Sequence, residues 1–170
     1  MRLYVPATLD ELDAAVVTAS AATWTVPGGP AHAVTAALAS SLPDEDDEGR
    51  EWLAFLAAAH DSLLRIAGAP DGVRLRVVVT VEVPDDAVAA GPGEGSPASQ
   101  VTVTRSLPGT KVVAVHVDEP EAAADVAEVL DAAASDAPEA EAVLDDAIQR
   151  VTDRDLLWYA PEELRAIPRA

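Results

Sequence analysis

The segment VRLRVVVTVEV, residues 73–83, alternates without a break. Val73, Leu75, Val77, Val79, Val81 and Val83 share one side of an extended chain. Arg74, Arg76, Val78, Thr80 and Glu82 share the other. Successive strand side chains point to opposite faces, so the pattern specifies a sheet with one buried face and one face at least partly wet. A doubly wound α/β sheet needs strands that are apolar on both sides, and this one is not.

Other segments read as strands around it: RLYV near the start, TWTV at 23–26, VTVTR at 101–105, KVVAVHV at 111–117 and DLLWY at 155–159. Between them lie helical patterns. Thr8 and Glu11 have capping-box spacing, and Leu9, Leu12, Val16 and Ala19 continue it at helical intervals. The stretch 31–42 reads as a weakly amphipathic helix. The strongest helix follows PDEDDE, whose acids suit the positive end of a helix dipole. It presents Trp52, Leu56, Leu63 and Ile66 as a stripe, flanked by Leu53, Phe55 and Leu64, and ends at Gly68 and Pro70. His60 lies on the flank of that stripe, as a partly buried, hydrogen-bonded boundary residue. Two more helices follow residue 118, the first with Asp118 and Glu121 at capping positions and Pro120 in its first turn.

Helices grouped beside one-faced strands predict an α+β two-layer sandwich. Its sheet is mixed but largely antiparallel, with four to five strands, and its helices pack mainly on one face. The chain of 170 residues reads as one domain. Residues 84–100 are polar, rich in Gly and Pro and without periodicity. They predict a mobile loop joining the strands on either side as a wide hairpin.

Charge narrows the function. Thirty acids against eleven Lys plus Arg give a formal net charge of −19. Binding to phosphate backbones draws its affinity from Lys and Arg releasing counterions, so nucleic acid is a poor partner, and so is an anionic membrane surface. The bland reading of this charge is solubility, and the sharper one is an acidic face that docks a basic partner. No apolar run approaches the roughly 18 residues of a membrane span, and no signal-peptide pattern opens the chain. A cytoplasmic location is expected. The absence of Cys excludes disulfides, thiolate metal sites and a Cys nucleophile.

Nucleotide-binding glycine motifs, metal-ligand spacings and serine nucleophile elbows are all missing. GPGEGS at 91–96 precedes no helix that could receive a phosphate. DEDDE at 44–48 lacks calcium-loop spacing. No catalytic residue, metal ligand or cofactor is therefore assigned, and the chain leans away from being an enzyme. His116 and Asp118 are two apart at a strand end and share a face, so the carboxylate could orient the imidazole as a base. Arg2, Arg74 and Arg76, with Tyr4 on the face of Arg2, suggest an anion or partner-peptide surface on the wet side of the sheet. Its competing reading is cross-strand pairing with Glu82.

Trp158 and Tyr159 are two of only six aromatic residues. Leu156 and Trp158 face one way and Leu157 and Tyr159 the other, which predicts a strand covered on both sides. It pairs with, or lies close to, the first strand, and its aromatics seal the junction between the chain ends. A buried Trp158 truncated to Ala costs about 3–5 kcal/mol. The candidate binding residues are thus Arg2, Tyr4, Arg74, Arg76, His116, Asp118, Trp158 and Tyr159. They serve either a non-enzymatic domain that contacts a protein partner or a second copy of itself, or a small-molecule pocket near His116, Asp118, Trp158 and Tyr159.

The phrases MRLYVPATLDEL, VVAVHVDEPEA and DLLWYAPEEL, taken together, resemble a family of small actinobacterial proteins known only as a domain of unknown function. The resemblance implies a cytoplasmic actinobacterial protein. It supplies no activity and no catalytic residues. The Arg-over-Lys preference and the Ala, Val and Asp bias fit a high-GC genome.

Overall fold

The computed structural model describes residues 1–69, 71–91, 93 and 95–169. The alternating segment forms β5 (Val77–Glu82), near the middle of a nine-stranded sheet. Its neighbours are β1 (Arg2–Ala7) and β8 (Leu107–Asp118). Beyond β1 come β4 (Gly29–His32), β7 (Gln100–Val103) and β6 (Val88–Ala90). On its far side, β8 pairs β3 (Ala22–Val26) along its first half and β9 (Leu156–Tyr159) along its second. The two-residue β2 (Val16–Val17) borders β3. Every pairing is antiparallel.

The α+β class holds, with a larger sheet than the four to five mixed strands the sequence suggested. The additional strands are short. β2, β4 and β6 hold Val16–Val17, the Gly- and Pro-bearing GPAH and VAA, and such runs are too brief to show a period of two. The wide hairpin is likewise replaced. Segment 84–100 contains β6, and β7 pairs β6 and β4 while β5 pairs β1 and β8. Pro92 and Glu94 of that segment lie outside the described residues, as does the helix stop at Pro70.

Among the helices, α1 (Ala36–Ser41) is short and capped by Thr35, whose hydroxyl accepts from Leu38 N–H at 3.0 Å. α2 (Asp47–Ala67) is the long one, capped by Asp46. α3 (Ala123–Ala133) and α4 (Ala140–Thr152) pair beyond β8. The capping box forms, with Thr8 N–H donating to Glu11 Oε2 at 2.9 Å and Glu11 N–H to Thr8 Oγ1 at 3.3 Å. It opens only a 3-10 turn, Glu11–Ala14, because the chain then extends into β2. Among the described residues, no helix is long and apolar enough to cross a membrane.

The two faces of β5 have different covers. Leu75, Val77, Val79, Val81 and Val83 join one contiguous core with β1, β3, β4, β7 and β8. Among the described residues, no α-helix supplies a buried residue to it. This core is built from the strands themselves, joined by Leu12 and Leu164 of two 3-10 turns. The opposite face, expected to be wet, lies under α2. Ala54, Ala58 and Ser62 recur every four residues and form a flat helix surface that packs close to Val78 and Tyr4. Buried Ser62 pins the contact: its hydroxyl donates to Ala7 C=O at 2.8 Å and accepts from Val77 N–H at 2.9 Å. Leu63 and Ile66 continue into a third cluster with Val126, Val129, Ala147 and Val151 of α3 and α4.

The chain ends share the sheet, but β1 and β9 do not pair, since β5 and β8 stand between them. β9 is also not covered on both sides. Leu157 is exposed, and Trp158 is 60% exposed.

Candidate functional site

α2 lies close to the sheet only along its small-residue stretch. At its first turns Gly49, Glu51 and Trp52 rise away from sheet positions that are themselves small, Thr80 and Ala114. A cleft of about 620 Å³ remains between them. Its floor follows the sheet register from Tyr4 to Thr80 to Ala114, and then from His116 to Trp158 on the outer strand. One wall is Trp52, 50% exposed, stacked on Phe55 at 5.2 Å with 21° between the rings. Phe55 meets His116 edge-on at 4.8 Å and Tyr4 edge-on at 6.2 Å. Trp158 stands on the opposite side, on the outer strand.

Charge collects at the mouth. Asp46, Glu48 and Glu51 border the cleft, with Arg2 as the basic residue among its lining groups. Arg2 is engaged, 3.4 Å from Glu51 and 3.6 Å from Glu82 across the strand pair. The Tyr4 hydroxyl donates to Glu51 Oε2 at 3.0 Å. Burial, reinforced by that carboxylate, pushes the phenol up to about 12, so Tyr4 keeps its proton throughout the physiological range. His116 has a buried Nδ1 with no hydrogen-bond partner among the described residues. Burial lowers its pKa, and the ring lines the cleft as neutral imidazole at pH 7.

The structure thus brings together Arg2, Tyr4, His116 and Trp158 from the eight candidates. It places the other four elsewhere. Arg76 and Asp118 form a buried ion pair, with Nη2 donating to Oδ1 at 2.7 Å and Nε to Oδ2 at 3.0 Å. The Arg76 backbone N–H donates to the same carboxylate at 2.8 Å, and its Nη2 also reaches Arg154 C=O at 3.0 Å. Asp118 therefore neither orients His116 nor caps a helix. Arg74 is exposed ahead of β5, and Tyr159 is half-buried against the main core. His60 is exposed on α2 and not a buried boundary residue.

Sequence reasoning missed Trp52, Phe55 and the acids of the cleft mouth, having assigned the first two to a core stripe and the acids to a solvated helix start. The available signal was the spacing of Ala54, Ala58 and Ser62, which marks the true buried face and turns Trp52 toward the cleft. A second missed cluster is Ser99–His32–Asp61. The His32 ring meets Ser99 Oγ through Nδ1 at 2.9 Å and Asp61 Oδ2 through Nε2 at 3.0 Å. Its composition is that of a hydrolase triad, but Ser99 is only 3% exposed and neither it nor His32 lines a described cleft. The cluster fastens α2 to β4 and to the segment entering β7.

Residues 1–167 match the family of unknown function DUF6912, and the chain belongs to that family. No curated protein and no solved structure matches it significantly.

Proposed function

We propose that the chain is a non-enzymatic cytoplasmic binding domain of a high-GC actinobacterium, and that its aromatic cleft receives an organic cation. The observation that carries this reading is the placement of two half-exposed indoles, Trp52 and Trp158, around a cleft bordered by Asp46, Glu48 and Glu51. An ammonium or guanidinium group is attracted to the negative face of an indole, and the contact strengthens as water is excluded. The carboxylates add attraction of the same sign, and the net charge of −19 draws cations toward the molecule from a distance. The non-enzymatic reading is supported by the cleft's imidazole, which no carboxylate orients among the described residues, Asp118 being held by Arg76.

Titration calorimetry with choline, arginine amide and 3,3-dimethylbutanol, the uncharged isostere of choline, tests this reading. Both cations are expected to bind and the alcohol is not. Trp52→Ala and Trp158→Ala should each weaken binding about tenfold, the ~1–2 kcal/mol of a desolvated cation–π contact. Because both indoles are half-exposed, each variant should cost less stability than the ~3–5 kcal/mol of truncating a fully buried Trp. Equal binding of the alcohol, or no binding of either cation, would overturn the proposal.

A further inference from the structure

The cleft opens beside a strand edge that has no partner among the described residues. β9 pairs β8 on one side only. The direction of its free groups follows from the ladder. Asp118 N–H donates to Arg76 C=O at 3.1 Å, so at Asp118 the backbone of β8 points toward β5. Backbone groups alternate sides along an antiparallel strand, so Val117 and Val115 point toward β9. They bond their register partners Leu157 and Tyr159, which turns the N–H and C=O of Leu156 and Trp158 outward. Edges of this kind are normally blunted by Lys, Pro or an inward-pointing charge, and LLWY has none of these. Its exposed side chains, Leu157 and Trp158, are apolar and lie on opposite faces.

We infer that the occupant of this edge is an extended segment of a basic partner protein, added to β9 as an antiparallel strand with an Arg or Lys opposite Trp158. The inference rests on the cleft reading and names its cation as a peptide side chain. Register supplies the sequence preference. A residue opposite Trp158 lies on the cleft face, where its long side chain can cross the indole toward Glu48 and Glu51. Its two neighbours fall on the face of Leu157, so they are apolar. The recognised pattern is apolar–basic–apolar within a β-forming run. Charge decides between a foreign segment and a second copy. The cleft mouth carries Asp46, Glu48 and Glu51, and a second copy would bring the same acids and another −19 charges to the contact. A basic segment neutralises them.

The test uses the full chain and the peptide Ac-Thr-Val-Arg-Val-Thr-NH2. It should bind at least tenfold tighter than arginine amide and slow hydrogen exchange at the amides of Leu156 and Trp158. Methylating the Arg amide, which faces β9, should reduce affinity to that of arginine amide. Methylating both Val amides, which face solvent, should leave it unchanged. A peptide with norleucine or Glu in place of Arg should lose at least tenfold. If arginine amide binds but the peptide gains nothing over it, or if methylation at Arg has no effect, strand addition is wrong and the cleft reading survives. If the norleucine peptide binds equally well, the basic occupant is wrong. If neither choline nor arginine amide binds, the cleft reading itself fails. Dimerisation without peptide that protects Leu156 and Trp158 would make a second copy the occupant and overturn the inference.

Discussion

At the scale of single residues the informative group is His116. Its Nδ1 is buried without a partner among the described residues, and desolvation holds the ring's pKa below the ordinary value. The unfolded chain releases the same proton near pH 6.5. Below that pH the unfolded state binds more protons than the native state, so stability is retained above about pH 6.5 and falls as the solution is acidified. His116→Gln removes the titration. Urea denaturation at pH 7.5 and 5.5 should show a smaller acid loss for the variant than for the parent chain, and equal losses would show that His116 is solvated. The strand pattern identified which face His116 occupies, because alternation is a local property. It could not identify what covers that face. The pairing of Asp118 with Arg76 joins residues 42 positions apart, and Asp118 has equally good local reasons to cap a helix or orient an imidazole. Only the tertiary fold, which buries Arg76, decides among these uses.

Among the elements, α2 was legible in position and only partly in orientation. Its acids, its cap at Asp46 and its stop at Gly68 set its bounds. Of the large apolar side chains that suggested the buried stripe, Phe55, Leu63 and Ile66 are buried, but Trp52, Leu53 and Leu64 are exposed and Ala54, Ala58, Ala59 and Ser62 take their place against the sheet. Size alone is an incomplete guide here because the partner is a sheet face at Val78 and Tyr4, and a smooth alanine surface lets helix and sheet approach closely. Ala58→Leu should therefore be costly, by about 1–3 kcal/mol as an overpacked contact. Leu64→Glu, on the solvent side, should change stability by no more than about 0.5 kcal/mol. Chemical denaturation of both variants decides the orientation, and the reverse ranking would mean that the side of Leu64, and not that of Ala58, is buried. The same tight contact explains the cleft: α2 can lie flat only where its residues are small, so its Trp-bearing first turns stand clear of the floor.

Considered as a whole, the molecule makes opposite electrostatic demands on stability and on binding. Thirty acids face eleven Lys plus Arg, and nearly every described ion pair is at least partly exposed, Arg76–Asp118 being the buried one. Exposed pairs contribute little, whereas the surplus of negative charge repels itself across the compact state. Raising ionic strength shortens the screening length from about 10 Å at 0.1 M to about 3 Å at 1 M, which relieves that repulsion more than it weakens the scattered pairs. Added NaCl should therefore raise the melting temperature by about 2–4 °C, corresponding to about 1 kcal/mol for a chain of this size. The same salt should weaken capture of a cation at Asp46, Glu48 and Glu51, because that attraction is screened too. A thermal melt and a choline titration across one salt series read both slopes. A falling melting temperature would mean that the surface pairs, and not the excess charge, dominate the native state. Salt-independent binding would mean that the indoles hold the cation without help from the acids, and only the aromatic half of the cleft would then retain a role.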